Sequence, residues 1–360
     1  MADLLTPDAS FWRGKRVFLT GHTGFKGAWL TLWLTQLGAT VMGYALPADT
    51  SPNLSNLVAA TGVQEVHADI RDGARLTAEL VAFAPDIVLH LAAQSLVQRS
   101  YLEPVSTIET NVMGTVHVLE ALRRTTSVRC AVIVTSDKCY QNREWLWAYR
   151  EDEQLGGVDP YSSSKACAEL VTSAWRHSFL RGDGGVAVAS ARAGNVIGGG
   201  DWAKNRLIPD CVHALSAGGQ IRIRNPAAVR PWQHVLEPLS GYLLLAERLW
   251  RDGASVAEAW NFGPAPGDMV PVSDIADQVV ALWGDGAAWT TVAAEQGHEA
   301  GLLAVDATKA RARLGWHPRL TLPEALAWTI NWYKRYAEGV PAATLVLDDI
   351  ARYSRLGPVR

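Results

Sequence analysis

The stretch Thr20-Gly-His-Thr-Gly-Phe-Lys-Gly27 decides the fold class of this chain. It follows an apolar run at residues 16–20 and precedes a segment of helical length that ends at Gly38. The spacing GxxGxxG lets the backbone turn tightly and approach a ligand, and the first N–H groups of a helix attract phosphate. A strand before and a helix after the loop indicate dinucleotide binding; the alternative is a turn without a ligand. The expected cofactor-binding residues of the loop are Gly21, Thr23, Gly24, Phe25 and Gly27.

Apolar runs with the length of strands alternate with stretches of helical length through the first half of the chain. The predicted strands are residues 16–20, 40–44, 64–68, 86–91, 129–134 and 187–191, with helices at 25–37 and 104–123 among the segments between them. Nearly continuous apolar strands separated by helices indicate a parallel sheet that is covered on both faces. We therefore predict an α/β protein with a doubly wound, mainly parallel Rossmann sheet, whose ligands bind at the carboxyl ends of the strands.

The domain organisation changes after about residue 192, where shorter segments rich in Gly and Pro replace the regular alternation. We predict a dinucleotide-binding domain over 1–192, to which 229–260 returns. A smaller, partly interleaved substrate-binding domain would comprise 193–228 and 261–338, followed by a loosely held tail at 339–360.

Composition narrows the class of partner. The chain has 33 Lys and Arg residues against 36 Asp and Glu residues, so it lacks the basic excess of a nucleic-acid-binding protein. Its content of 48% hydrophobic residues argues against disorder. We find neither a signal peptide nor an apolar run long enough to span a membrane, so we expect a cytoplasmic protein that binds a small molecule. No metal site and no disulfide is expected, because ligand spacing is missing among Cys130, Cys139, Cys167 and Cys211.

Further cofactor contacts are expected at the ends of later strands. The second strand ends without the carboxylate that usually binds the adenine ribose and without an Arg for a 2′-phosphate, so this rule does not separate NAD from NADP, and we favour NAD. The residues placed to meet the adenine and the cofactor backbone, or else to pack as ordinary strand ends, are Asp69, Ile70, Leu91, Ala92 and Ala93.

A tyrosine and a lysine lie four residues apart in Asp159-Pro-Tyr-Ser-Ser-Ser-Lys165. Asp159 is a good helix N-cap and a Pro suits the first turn, so Tyr161 and Lys165 share one helix face. A phenol has a pKa of about 10, and a nearby ammonium favours its anion and makes it a usable base. Such a pair is usually solvated surface, but after a dinucleotide loop it indicates catalysis.

A second candidate catalytic group follows the fifth predicted strand. Ser136, Asp137 and Lys138 place a hydroxyl, a carboxylate and an ammonium directly after the apolar run 129–134. Adjacent charges at a strand end often mean only that the chain reaches water. The alternative is that the three groups face the ligand, since parallel strands end at the binding edge of the sheet.

These motifs together resemble the extended short-chain dehydrogenases/reductases, in particular their nucleotide-sugar branch. The stretches GHTGFKGAWL, TSDKCY, RAGNVIGGGDW and NPAAVRPWQHVLEPLSGY look like the sugar 4,6-dehydratases of that branch, and the resemblance runs from Trp12 to about Tyr336. It implies tightly held NAD and CDP-glucose as the substrate. The implied reaction oxidises C4, removes water across C5 and C6 and returns the hydride to C6, which yields CDP-4-keto-6-deoxy-D-glucose.

The resemblance also implies roles for the candidate residues. Tyr161 and Lys165 would serve the oxidation, Asp137 would be the acid for the leaving hydroxyl, and Lys138 would be the C5 base. Ser136 would hydrogen-bond the C4 oxygen. The dTDP-glucose and GDP-mannose relatives carry Glu where this chain has Lys138, so the division of acid and base roles stays open.

Substrate contacts are implied for a further set of residues. Arg230 matches the arginine of the family that binds phosphate, while the others could contact diphosphate, ribose or hexose or serve the structure: Gln94, Ser95, Arg99, Asn195 and Arg206. Trp232 and His234 could border the base or pack in the core.

Two other functions remain open from the sequence. One is an epimerase or oxidoreductase of the same fold, which would not use Asp137 or Lys138. The other is a sensor that binds a dinucleotide without catalysis, although the intact Tyr161/Lys165 pair argues against it. Relatives commonly pair through two long helices, so we expect a homodimer or higher homo-oligomer with a four-helix bundle of 104–123 and 160–180.

Overall fold

A computed structural model describes residues 6–60, 62–182, 184–284, 286–293 and 301–357. Within these residues the β-strands are β1 Arg16–Thr20, β2 Thr40–Ala45, β3 Gln64–His67, β4 Ile87–His90, β5 Cys130–Val134, β6 Ala187–Ala193, β7 Val196–Ile197, β8 Ile221–Ile223, β9 Val229–Pro231, β10 Gln233–His234, β11 Ala259–Phe262, β12 Met269–Pro271 and β13 Trp289–Thr291.

The α-helices of the same residues are α1 Ala9–Trp12, α2 Phe25–Gln36, α3 Leu54–Val58, α4 Gly73–Phe83, α5 Val97–Leu102, α6 Pro104–Ile108, α7 Gly114–Arg124, α8 Pro160–Ser178, α9 Leu207–Ser216, α10 Leu236–Asp252, α11 Val272–Trp283, α12 Leu322–Ala337 and α13 Ala342–Tyr353. A π-helical turn, Glu109–Met113, joins α6 to α7, so the predicted helix 104–123 is continuous but not uniformly α-helical.

The central sheet has seven parallel strands in the order β11-β6-β5-β4-β1-β2-β3. The order reverses between β1 and β4, which is the switch point where ligands bind in doubly wound folds. The predicted Rossmann sheet is thereby confirmed.

Alternate residues of the inner strands explain why these strands are apolar throughout. Val17 and Leu19 of β1 belong to one core, which α2 and α10 share. Phe18, between them, belongs to a second core with residues of α4 and α7. Because side chains of a strand point alternately to the two faces, a sheet covered by helices on both sides needs apolar residues at every position.

The C-terminal half contributes both to this sheet and to a smaller region beside its carboxyl edge. Strand β11 extends the sheet beyond β6, and α10 packs on β5 and β6. The pairs β7–β10, β8–β13 and β9–β12 form small separate sheets. Segments of the C-terminal half thus lie both in the central sheet and in the small sheets, while the predicted division into domains stays a prediction.

The expectation of a loosely held tail at 339–360 is wrong for the residues described. Helix α13 is buried along one face, and the Tyr353 hydroxyl donates to the Glu237 carboxylate at 2.7 Å. Its apolar side chains follow helical spacing, which the sequence reading missed, and the buried ones are Ala342, Leu345, Val346, Ile350 and Tyr353. Residues 358–360 lie outside the described residues.

Candidate active site

A cavity of about 2260 Å³ lies at the carboxyl ends of the central strands. Every residue that the sequence predicted for the site lines this cavity. They are Gly21, Thr23, Gly24, Phe25, Gly27, Asp69, Ile70, Leu91, Ala92, Ala93, Gln94, Ser95, Arg99, Ser136, Asp137, Lys138, Tyr161, Lys165, Asn195, Arg206 and Arg230.

Two glycines of the loop, Gly21 and Gly27, are packed too closely for a side chain at either position. Gly21 has φ +78°, and a Cβ there would lie 2.7 Å from the backbone nitrogen of Ala92, after β4. A Cβ at Gly27 would clash with the Gly21 carbonyl oxygen. Gly24 caps α2 with no side-chain hydrogen bond, and the first turn holds no acidic residue. This turn lines the cavity, and its N–H groups have no side-chain cap, so the turn is suited to bind a phosphate group.

On the side of the cavity where the sequence predicts the adenine, two predicted residues already form bonds within the protein. The Thr23 hydroxyl donates to the Leu46 carbonyl oxygen at 2.9 Å, just beyond β2. Asp69, after β3, binds the Arg71 guanidinium at 2.7 Å, and the hydrogen bonds and charge of Arg71 lower the pKa of that carboxyl. Asp69 thus lines the cavity with its carboxylate already bonded to Arg71, and its contact with an adenine stays a prediction.

The turn after β5 is buried and does not open to solvent. Ser136 is 6% exposed and Asp137 2% exposed, whereas Lys138 is half-buried. The Ser136 hydroxyl donates to Asp137 Oδ1 at 3.0 Å and accepts from the Lys138 backbone N–H at 3.2 Å. Asp137 Oδ2 is buried without a hydrogen-bond partner among the described residues. An unpaired buried carboxylate oxygen is costly, which argues that a ligand satisfies it.

Tyr161 and Lys165 lie on the first turns of α8, which begins at Pro160 with Asp159 as its N-cap. Both side chains are buried, at 7% and 5% exposure. Burial raises the pKa of Tyr161 to about 12, and a hydrogen bond with Ser136 acts in the opposite direction. Burial lowers the pKa of Lys165 to about 8. The pair therefore holds its proton with the phenol and can lose charge at the lysine near neutral pH.

The two catalytic groups face one another across the cavity wall. The turn 136–139 packs on α8, and Ser136 lies within hydrogen-bonding reach of Tyr161. A Cβ at Gly194 would be 3.2 Å from Asp137 Oδ2, so the carboxyl group points toward the loop after β6 that carries Asn195. The phenol and the carboxyl group therefore line the same cavity.

The predicted substrate residues differ in how far their side chains are already bonded. Arg206 spans the cavity, because it donates to Asp201 at 2.9 Å and to the Ser95 hydroxyl at 2.9 Å. Gln94 uses its amide to shape its own loop, donating to Leu96 O and Thr107 Oγ1 at 3.0 Å each.

Two further predicted substrate residues are arginines with bonds of their own. Arg99 binds Glu103 at 3.1 Å and is exposed. Arg230 is 4% exposed and donates to the Val229 carbonyl oxygen at 2.9 Å. Contacts of the predicted residues with a substrate stay a prediction.

The comparison with known proteins agrees with this geometry. A family model described as GDP-mannose 4,6 dehydratase matches residues 18–259. The chain belongs to this family. The resemblance to the nucleotide-sugar branch of the extended short-chain dehydrogenases/reductases is thereby confirmed.

Individual members of the GDP-mannose 4,6-dehydratase family and its structural neighbours are similar over most of their length. CDP-glucose 4,6-dehydratase of Salmonella typhimurium is 53% identical over 337 residues, which cover 92% of this chain and 94% of that protein. A solved dTDP-glucose 4,6-dehydratase from Streptomyces venezuelae with NAD bound has a TM-score of 0.77 at 27% identity, covering 90% and 98% of the two chains. UDP-glucose 4-epimerase from Thermotoga maritima shares the fold, with a TM-score of 0.78 at 21% identity, covering 89% and 99%.

Sequence reasoning missed one cation in the site of this GDP-mannose 4,6-dehydratase family member. Lys26, the second residue of α2, lines the cavity beside the glycine-rich loop. Burial, together with the charges of Arg206 and Lys165, lowers the pKa of Lys26 to about 7, although the charge of Asp137 acts in the opposite direction. Its position inside the glycine motif was the available signal. Lys26, Lys165 and Arg206 thus form a group of interacting cationic side chains in the cavity, which favours an anionic ligand.

The two residues that could have bordered the base behave differently. Trp232 lines the cavity, and its indole Nε1 has no partner among the described residues. His234 is fully buried between Trp29 and Trp328, which gives it a packing role. No cluster of metal-ligating side chains occurs in the described part of the chain. Nor does that part contain a helix with the length and apolarity needed to cross a membrane.

Proposed function

We propose that this protein converts CDP-glucose to CDP-4-keto-6-deoxyglucose by a 4,6-dehydratase reaction with bound NAD. One observation carries the proposal: Asp137 and Lys138 line the same cavity wall as the Tyr161/Lys165 pair, and the Asp137 carboxyl is buried there. A simple oxidation needs only Tyr161 and Lys165. The similarity to the Salmonella enzyme, which is named for this substrate, supports the choice of nucleotide.

The glycine-rich loop and the strand ends around it would hold the cofactor. The uncapped first turn of α2 is suited to its pyrophosphate, and Ala92 and Ala93 leave room for its backbone at the switch point. NAD supplies, when bound, the acceptor and later the donor of a hydride. The solved dTDP-glucose dehydratase with NAD bound supports this choice of cofactor.

Tyr161 acts first, as the base that takes the proton of the C4 hydroxyl while hydride leaves C4. Protonated Lys165 favours the phenolate that this step needs, and Ser136 donates a hydrogen bond to the C4 oxygen as it becomes a ketone. The ketone then acidifies the C5 proton.

The second stage uses the turn after β5. Lys138 removes the C5 proton, and Asp137 gives a proton to the C6 oxygen, which leaves as water. Hydride then returns to C6 while Lys138 returns its proton to C5. Tyr161 releases the proton it gained, and Asp137 regains one, so each group ends as it began.

The diphosphate of the substrate needs cationic partners. Arg206 and Arg230 are the candidates, since a guanidinium can bind two oxygens at once, and Lys26 adds charge nearby. In the ligand-free structure Arg206 is bonded to Asp201 and Ser95. We infer that Arg206 exchanges the Ser95 contact for the diphosphate when substrate binds.

Incubation of the purified protein with CDP-glucose is expected to yield the 4-keto-6-deoxy product with no net change in reduced cofactor. CDP-, dTDP-, UDP- and GDP-hexoses are compared by turnover, and the product is identified by NMR. We expect turnover with CDP-glucose to exceed that with the other nucleotides by at least about tenfold, the size of one lost base contact. A C4 epimer as the product would instead establish the epimerase.

The assembly is proposed to be a homodimer formed through α8 and the helical segment from α5 to α7. This segment and α8 pack together, and both expose apolar side chains. Those side chains are Tyr101, Leu102, Val105, Ile108, Met113, Leu170 and Phe179. Apolar residues repeated on two adjacent helices indicate an interface, and a twofold pairing would make a four-helix bundle.

A cytoplasmic location likewise stays a prediction.

The double variant Leu102→Glu/Val105→Glu is expected to be monomeric at concentrations where the wild type is dimeric. Both side chains are strongly exposed, at 83% and 69%, so the charges cost little in the monomer but oppose burial at the interface. Sedimentation velocity measures the change. Leu146→Glu is the matched control, because Leu146 is 91% exposed on the loop between β5 and α8. A wild-type protein that is already monomeric would contradict the proposal.

A further inference from the structure

A buried polar network lies directly behind the catalytic turn and takes no part in the steps described above. Its centre is an ion pair between Glu169 of α8 and Arg192 of β6, with Arg192 Nη2 2.9 Å from Glu169 Oε2 and both side chains 3% exposed. The Ser190 hydroxyl donates to the same oxygen at 2.6 Å. The Thr135 hydroxyl donates a short hydrogen bond to the other oxygen. Both carboxylate oxygens are thus bonded, as a buried charge requires.

The network holds the catalytic turn at both ends. Thr135, bonded to Glu169, precedes Ser136 in the chain. Tyr140 follows the turn and accepts a hydrogen bond at its hydroxyl from Arg192 Nη1 at 2.8 Å. The same hydroxyl donates to Asn261 of β11 at 2.7 Å. The ion pair therefore fixes Thr135 and Tyr140, the residues on either side of 136–139. Glu169 also belongs to the helix that carries Tyr161.

Glu169 also lies one helical turn beyond Lys165, on the same face of α8. Its negative charge raises the pKa of Lys165, against the larger lowering caused by burial. Burial alone would raise the pKa of Glu169 itself, but the charge of Arg192 and three hydrogen bonds hold it below its ordinary value. Glu169 is consequently an anion at every pH at which Lys165 changes charge.

We propose that Glu169 is a positioning residue of the reaction, which ties the turn 136–139 to the Tyr161 helix and keeps Lys165 in its charged form. The inference rests on the proposed function for the steps that it supports. Glu169 does not line the cavity and so acts only through other residues.

Other charged or titratable groups act on the same pair and must be considered in any pH profile. Around Lys165 they are Cys139 of the turn, His90 of β4 and Lys26 of α2. Around Glu169 they are Arg192 of β6 and Arg176 of α8. Among these groups, Glu169 is the carboxylate that raises the pKa of Lys165.

The test is Glu169→Gln, which keeps the shape of the side chain and removes its charge. We measure the rate of cofactor reduction in a single turnover as a function of pH. The active form of the pair is a phenolate beside a charged lysine, so this rate should rise with pH and level off once the pair has lost its first proton. In the variant it should level off about one pH unit lower, the size typical of one lost charge partner. At the optimum, kcat should fall at least about tenfold while KM changes less than about threefold.

Two control variants separate positioning from stability. Glu169→Asp keeps the charge, so the pH at which its rate levels off should return toward that of the wild type even if kcat stays low. Glu237→Gln removes another buried carboxylate, bonded to Tyr353 and to backbone N–H groups away from the cavity. It should lower the melting temperature and leave the pH profile in place.

A second measurement does not depend on activity. NMR of isotope-labelled lysine side chains follows the titration of Lys165 in the ligand-free protein, with Lys165→Met to assign its signal. We expect the pKa of Lys165, about 8 in the wild type, to be lower in Glu169→Gln. An unchanged titration and an unchanged pH limb in a folded variant would overturn the inference. If the wild type reduces its cofactor but releases no water, the proposed function fails, and the test of Glu169 still stands.

Discussion

Tyr161→Phe is expected to lower the rate of the first hydride transfer by about a thousandfold, the middle of the range for loss of a general base. The phenol is buried at the cavity wall on the first turn of α8, and a phenylalanine in its place has no oxygen to take the C4 proton. Without that proton transfer no ketone forms, so water elimination stops as well. Single-turnover absorbance of the reduced cofactor on mixing with CDP-glucose measures the effect.

The matched control is Tyr353→Phe. Tyr353 is fully buried and its hydroxyl donates to Glu237, but it lies in α13 and does not line the cavity. This variant should lose some stability and retain its turnover. If Tyr161→Phe still reduced the cofactor at a rate near that of the wild type, the phenol would not be the base.

Lys138→Ala is expected to allow the oxidation and to stall the loss of water. The reduced cofactor should accumulate with the 4-keto sugar, and the rate of formation of the 4-keto-6-deoxy product should fall by about a hundredfold to a thousandfold. The reason is that Tyr161 and Lys165 remain intact, whereas no amine is left to take the C5 proton. Rapid-quench analysis of sugars and absorbance of the reduced cofactor follow the two stages separately.

Asp137→Asn separates the acid from the base. If Lys138 is the base, the Asn variant should exchange the C5 hydrogen with deuterated solvent without losing water, and Lys138→Ala should not exchange it. The reverse pattern would assign the base to Asp137. Lys309→Ala is the matched lysine control, because Lys309 binds Glu258 at 2.6 Å outside the cavity and should leave the whole cycle intact.

Much of the fold was predictable because its signals are local in the chain. The run 16–20, the glycine spacing after it and the helix that follows specify one strand–loop–helix unit, and repeated alternation specifies a parallel sheet. Helix α13 was missed although its apolar spacing is helical, because nothing near it in sequence says what it packs against. It packs on the preceding helix α12, but its other partners, α2, α3 and Glu237, lie more than a hundred positions away.

The candidate site shows the same division. Tyr161 and Lys165 were recognisable because they lie four apart on one helix. Lys26 was passed over because its neighbours Arg206 and Asp137 are distant in the chain, and only folding brings their charges together.

The sequence by itself determined which groups stand at the strand ends, since motif, spacing and strand–helix alternation are properties of neighbouring residues. Only the tertiary structure decided that Asp137 is buried rather than solvated and that Arg206 reaches across to Ser95. It also decided that Glu169 joins the catalytic turn to α8. The physical reason is that burial and charge–charge contacts depend on residues brought together from distant strands, which no local pattern encodes.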